Sequence, residues 1–182
     1  PNVAESYEVL DNSTRFVFHL REGMKWSDGE PFDADDWFFH WEHVVLKEVG
    51  ESIPAFYYVG GQLPTVEKID QYTFQIVFPE PYPMFLFNTP HILTFFTPEH
   101  YARTILPEFI GQEAAEKLAQ EQGFADAQRM ALSKLGYHWV YADVPTIRPW
   151  VPVNDLSEPR WIMRRNPYYF KVDPEGNQLP YI

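Results

Sequence analysis

The stretch Phe16-Val17-Phe18-His19-Leu20-Arg21-Glu22-Gly23-Met24-Lys25-Trp26-Ser27-Asp28-Gly29-Glu30-Pro31-Phe32-Asp33-Ala34-Asp35-Asp36 encodes a strand, two turns and a helix start in succession. Phe16, Phe18 and Leu20 alternate with Val17 and His19, the period of a strand with one buried face. Arg21-Glu22-Gly23 and Ser27-Asp28-Gly29 are turn signals that bracket Met24-Lys25-Trp26. Asp33 then fits a helix cap, with Asp36 three residues on completing a capping box, and Phe32 and Trp37 fit a hydrophobic staple. Trp37, Phe38, Trp41, Val44 and Val45 follow at i, i+1, i+4, i+7 and i+8, one apolar face of a helix.

Outward from this stretch the same signals recur. Val3 to Leu20 reads as a hairpin turning at Asp11-Asn12-Ser13-Thr14. Thr65 to Ile69 and Tyr72 to Phe78 form a second hairpin, turning at Asp70-Gln71, with Phe74, Ile76 and Phe78 on one face. Lys47 to Gln62 reads as a loop around Phe56-Tyr57-Tyr58. Pro83 opens a short helix through Asn88, and Thr97-Pro98-Glu99 starts another that runs to about Ile105. Gln112 to Gln122 and Ala125 to Leu135 are helical, each followed by a glycine (Gly123, Gly136) suited to a C-cap. They read as a helical insertion over approximately 111–136. Val144 to Pro159 is extended, Trp161 to Arg165 is a strand, and Asp173-Pro174-Glu175-Gly176 is a turn. The expectation is an α+β fold: one domain over 1–182, with a small, mostly antiparallel sheet of hairpins and several packed helices.

Composition narrows the function classes. The formal net charge is −12, with 14 Lys+Arg against 26 Asp+Glu. That balance argues against nucleic acid, whose phosphates need basic partners, and against anionic membrane surfaces. No run approaches the ~18 apolar residues of a membrane span, so no membrane insertion of this segment is expected. The absence of cysteine excludes a disulfide scaffold, thiolate metal sites and cysteine nucleophiles. The chain opens on Pro1 and closes on Leu179-Pro180-Tyr181-Ile182, an apolar run where native ends are usually polar. These ends read as those of a piece excised from a longer protein.

No catalytic signature stands out. His40 and His43 are three apart, not in the His-Glu-x-x-His spacing of a zinc helix, and His40 falls off the apolar stripe, on a solvated face. His19, His91, His100 and His138 show no ligand spacing, so neither metal nor cofactor is expected. Asp33-Ala34-Asp35-Asp36 and Asp173-Pro174-Glu175-Gly176-Asn177 lack the calcium-loop pattern. Acids in a first helical turn complement its dipole, and Asp-Pro-x-Gly makes a turn without an ion. Gly-x-Ser-x-Gly, P-loop and Gly-x-Gly-x-x-Gly motifs are absent, and the chain reads as a non-enzyme. Tyr57-Tyr58, Trp150, Trp161 and Tyr168-Tyr169-Phe170 are the residues suited to stacking on a ligand, although aromatics mostly serve the core.

The motif Phe16 to Asp36, preceded by Ala4-Glu5-Ser6-Tyr7-Glu8-Val9, resembles the signature of the family 5 extracellular solute-binding proteins. These are the oligopeptide- and dipeptide-binding proteins of ABC importers. Asp70-Gln71-Tyr72-Thr73-Phe74-Gln75-Ile76, the strand Trp161 to Arg165, Arg165-Asn166-Pro167-Tyr168-Tyr169-Phe170 and Gly176-Asn177-Gln178-Leu179-Pro180-Tyr181-Ile182 agree with it. Trp150-Val151-Pro152-Val153 stands where members often show a Gly-x-Tyr turn. The resemblance implies an intervening α+β domain of a larger, exported protein, periplasmic or on the extracellular face of the cytoplasmic membrane. It implies as partners the remaining lobes of the same polypeptide, an ABC permease and a small ligand (peptide, oligosaccharide or similar). It also implies a tyrosine near the ligand in the loop after the signature helix, which here points to Tyr57 or Tyr58. The alternative is a carbohydrate-binding or sugar-processing module, which would use the tryptophans and acids.

Overall fold

The computed structural model describes residues 2–47, 49, 52–88, 96–136, 140–154 and 158–180. The chain divides into two compact units, 1–22 with 33–96 and 23–32 with 97–182. The fold is α+β, as the hairpin and capping signals predict.

The first unit is built on a four-stranded antiparallel sheet in the order β1-β2-β4-β3. Its strands are β1 (Ala4–Leu10), β2 (Arg15–Leu20), β3 (Thr65–Lys68) and β4 (Thr73–Val77). In β2, Phe16 stands opposite Val9 on one side and Ile76 on the other, and Phe18 stands between Tyr7 and Phe74. This register gathers Phe16, Phe18, Phe74 and Ile76 on one face, while Val17, also buried, sits on the other between Glu8 and Gln75. Glu8, His19, Thr73 and Gln75 share this second face, where His19 Nε2 pairs with Glu8 at 3.0 Å. The β1–β2 turn holds Asp11, Asn12 and Ser13 at φ 50, 54 and 64°. Asp and Asn tolerate this left-handed region better than most residues. Thr14 closes the turn by donating its N–H and its hydroxyl to the Asp11 carbonyl. In the β3–β4 turn the Tyr72 N–H donates to Asp70 Oδ1 (2.8 Å) and holds that carboxyl below its usual range.

Helix α1 (Ala34–Phe39) begins with the expected capping box. Asp33 accepts from the Asp35 N–H (2.8 Å), and Asp36 accepts from the Asp33 N–H (3.2 Å). The helix continues over His40–Val45 as a π-helix, in which the Leu46 N–H reaches the Trp41 carbonyl and the Val49 N–H the Val44 carbonyl. Each residue of a π-helix advances through a smaller angle than in an α-helix, so the faces shift beyond Phe39. His40 is buried rather than on the expected solvated face, as are Asp36 and Phe39 in the α-helical turn before it, so burial reaches beyond the predicted apolar stripe. Helix α2 (Phe85–Asn88) brings Phe85 to the sheet, with its ring centroid 4.9 Å from Phe16 and 4.8 Å from Phe78.

The second unit contains α3 (Glu99–Ala102), α4 (Pro107–Ile110), α5 (Gln112–Glu121), α6 (Ala127–Gly136), and the antiparallel pair β5 (Trp150–Pro152) and β6 (Met163–Arg165). Helix α3 stops before the expected Ile105. Pro107 holds Leu106 extended (φ −76°, ψ 133°) and the helix restarts as α4 with proline in its first turn. Alanines at 115, 119, 127 and 131 are buried on α5 and α6, the small side chains that let helices pack closely. Gly123 terminates α5 at φ 81°, whereas Gly136 remains within α6. The loop 23–32 is anchored by Ser27, whose N–H donates to the Thr146 carbonyl and whose Oγ accepts from the Thr146 N–H, both at 3.0 Å. Asn166 is fully buried. Its side chain donates to the Arg148 carbonyl (2.9 Å) and accepts from the Tyr168 N–H (2.9 Å).

Candidate functional site

The loop carrying Tyr57 and Tyr58 belongs to the first unit and is locally well fixed. Pro54 opens a single 3-10 turn over Ala55–Tyr57, in which the Tyr57 N–H donates to the Pro54 carbonyl and the Tyr58 N–H to that of Ala55. Val59 and Gln62 exchange both backbone hydrogen bonds at 3.0 Å around Gly60 (φ 58°) and Gly61 (φ 76°). Two consecutive positive φ values are the geometry of a type I′ turn, which suits glycine at both positions. At Gly60 a Cβ would also lie 2.6 Å from a Glu80 carboxylate oxygen.

The two tyrosines diverge. Tyr57 is only 1% exposed. Its ring meets the edge of Trp41 at 4.9 Å; Trp41 stacks on Trp37 at 6.0 Å, and Trp37 on Phe74 of β4 at 4.6 Å. A continuous aromatic column thus runs from the loop to the sheet. The Tyr57 hydroxyl is buried with no hydrogen-bond partner among the described residues, and burial pushes its phenol well above the usual tyrosine range. Tyr58 follows in extended backbone (φ −89°, ψ 122°) and is 45% exposed. Tyr57 closes the 3-10 turn and Tyr58 leaves it in extended backbone, and across this change of conformation one ring enters the column while the next faces solvent.

The other aromatic candidates belong to the second unit. Tyr168 is exposed, with Lys25 Nζ 5.5 Å from its ring centroid and its hydroxyl packed over Gly29. Trp161 is exposed and Trp150 half-buried.

Several of the histidines and acids make local contacts. His43 packs on Phe39, and His100 Nε2 lies 2.7 Å from Asp28 Oδ2. Asp35 pairs with Lys68. Asp173 accepts from the N–H groups of Glu175 and Asn177 within its own turn. His91 and His138 lie outside the described residues. One polar cluster has no local sequence signal: Lys134, almost wholly buried on α6, pairs with Asp143 at 2.5 Å, and Asp143 also accepts from the Tyr101 hydroxyl at 2.9 Å.

Known proteins supply the context for this geometry. Residues 1–182 match the family described as bacterial extracellular solute-binding proteins, family 5 Middle. The periplasmic alpha-galactoside-binding protein of Rhizobium meliloti is 37% identical over the whole of this chain, which spans 24% of that protein. A solved oligopeptide-binding protein OppA is similar at 36% identity and a TM-score of 0.87, covering all of this chain and 28% of its own. The periplasmic binding protein MelB of Agrobacterium fabrum, solved in complex with stachyose, is 30% identical with a TM-score of 0.72, covering 99% of this chain and 25% of its own. The chain thus spans about a quarter of the length of these relatives. With strand register, capped helix and a match along its entire length in agreement, the chain belongs to the bacterial extracellular solute-binding proteins of family 5.

Proposed function

We propose that this chain is a non-catalytic domain flanking the ligand cleft of a larger extracytoplasmic binding protein that delivers its ligand to an ABC permease. The observation that carries this reading is the family match over all 182 residues, joined to relatives whose names describe binding proteins. Capture proceeds by closure of the lobes around the ligand, which favours the closed population because it binds that form better. Among the described residues no helix is long and apolar enough to cross a membrane, consistent with a site of action in the periplasm or outside the cytoplasmic membrane.

In this reading Tyr58 offers its exposed ring to the ligand, and Tyr57 backs it from the aromatic column. An oligopeptide is the first ligand class, supported by the OppA likeness. An α-galactoside oligosaccharide is the second, supported by the Rhizobium relative and the stachyose complex, and a tyrosine face stacks as readily on a sugar as on a peptide side chain. Calorimetry of the full-length protein with stachyose and with a tetrapeptide mixture separates the two. Tyr58→Ala is expected to weaken the ligand that binds by about tenfold, roughly 1.4 kcal/mol. Micromolar binding by the isolated 182 residues would refute the flanking role.

A further inference from the structure

Asp28-Gly29 is the chain's single Asp-Gly pair, and Asn-Gly does not occur. An aspartate followed by glycine is chemically fragile, because no Cβ keeps the glycine nitrogen from turning onto the side-chain carboxyl. Gly29 N would bond Asp28 Cγ, and the hydroxyl of the protonated carboxyl and the amide proton would leave together as water. Water then reopens the succinimide ring. Cleavage between Gly29 N and Cγ restores aspartate; cleavage between Gly29 N and the Asp28 carbonyl carbon leaves isoaspartate. The turn cannot dispense with glycine, since Gly29 stands at φ 99°, a conformation that L side chains rarely adopt.

Contacts within the second unit oppose each part of that path. The Gly29 N–H donates to the Trp26 carbonyl at 3.0 Å, closing a turn over Trp26–Gly29. Both carboxylate oxygens of Asp28 are held. Oδ1 accepts from the Glu30 N–H (3.3 Å), and Oδ2 lies 2.7 Å from His100 Nε2 on α3. Tyr168 fills the space that a side chain at position 29 would take, with its hydroxyl and ring atoms 3.1–3.4 Å from the place of a Cβ. Tyr168 is itself seated by its N–H on Asn166 Oδ1 (2.9 Å) and by Lys25 Nζ, 5.5 Å from its ring centroid.

We propose that His100 and Tyr168 guard Asp28-Gly29 against isomerisation, one by fixing the carboxylate and the other by standing where the missing side chain would be. For the ring to close, Asp28 Cγ must swing onto Gly29 N. The contact with His100 must break first, and Tyr168 must yield. A reacting geometry that requires the loss of native contacts is rarely reached. The damage avoided is local and severe. Isoaspartate adds a methylene carbon to the main chain between Ser27 and Gly29. That lengthens the turn whose Trp26 N–H reaches the Glu30 carbonyl (2.9 Å) and displaces Ser27 from Thr146. All of these contacts are made within the 182 residues and do not depend on which surfaces are covered.

The test is isoaspartate accumulation at Asp28 in the full-length protein, held for weeks at physiological temperature and mildly acidic pH. A digest with an endoproteinase that cleaves before aspartate but not before isoaspartate, read by mass spectrometry, gives the rate. Folded protein is expected to isomerise about tenfold or more slowly than the same protein in urea. His100→Ala and Tyr168→Ala should each raise the folded rate about tenfold. His100→Gln, which keeps a donor, and Tyr168→Phe, which keeps the ring, should raise it about threefold. Asp33→Ala, which loosens the α1 cap in the first unit, should leave it unchanged. Thermal melts establish that each variant is folded during the incubation. The proposal is overturned if folded and urea rates agree, if H100A or Y168A leaves the rate unchanged, or if D33A raises it equally. Where an alanine variant fails to fold, H100Q or Y168F takes its place, and an unchanged rate there overturns the proposal in the same way.

Discussion

Replacing Tyr57 by phenylalanine should stabilise the first unit, against the usual direction of core substitutions. The Tyr57 hydroxyl is buried without a partner among the described residues, and an unsatisfied buried polar group costs about 1–3 kcal/mol. Phenylalanine keeps the ring contacts to Trp41 and Phe56, at 4.9 and 4.2 Å. The missing oxygen leaves a small void that offsets part of the gain, so the expected net is about 1 kcal/mol. For a chain of this size that corresponds to roughly 2–4 °C in Tm. A second effect separates this account from generic packing. Burial raises the folded-state phenol above its unfolded value of about 10. As pH rises past 10 the unfolded state releases this proton first and then binds fewer protons than the fold. Stability therefore falls with pH, at up to about 1.4 kcal/mol per unit. The contribution is complete below pH 10, and the phenylalanine variant lacks the loss. Urea melts of both proteins from pH 7 to 11 give the difference directly, and subtraction cancels the other ten tyrosines. A variant less stable by 1 kcal/mol at pH 7, or a gap that fails to widen above pH 10, would refute the assignment of an orphaned hydroxyl.

Asp143→Asn should cost about 2–3 kcal/mol, because Lys134 is only 4% exposed. That value falls below the 3–5 kcal/mol of a fully buried broken pair, since Asp143 itself is half-exposed. Adding Lys134→Met should recover most of the loss in a thermal melt. Asp33→Ala removes the cap of α1 and should cost about 1 kcal/mol; Asp35→Ala, outside the box, should cost about half that or less by the same measurement. Asn166→Ala strands the Arg148 carbonyl and the Tyr168 N–H and should cost about 2–4 kcal/mol in a urea titration.

Legibility followed the range of the interactions. The capping box at Asp33 and Asp36 spans three residues and the hairpin alternations span two, so the sequence alone states them. The π-helical segment at His40–Val45 left no such mark. The 3.6-residue stripe put His40 on a solvated face because it does not register that this helix is buried on more than one side, as Asp36, Phe39 and His40 show. Ser27 and Thr146 bond across 119 positions, and Lys134, Asp143 and Tyr101 come from three separate segments. No local pattern announces either grouping. At the candidate site, sequence narrowed the loop to an adjacent tyrosine pair but not to the outward-facing member. That choice depends on one backbone step, the extended conformation at Tyr58.

The switch from α to π geometry after Phe39 also bears on how this lineage tolerates changes in length. The π-helical stretch follows the α-helical turns directly and carries one residue more per hydrogen-bonded turn than α geometry uses. Deleting one residue between His40 and Val45 should let an ordinary α-helix close, with Trp37 and its capped N-terminal turn untouched. Everything after the deletion would rotate by one position; with His40 as the residue removed, Trp41 would lose its place between Trp37 and Tyr57. A homologue one residue shorter here would have to hold its loop tyrosine by some other means.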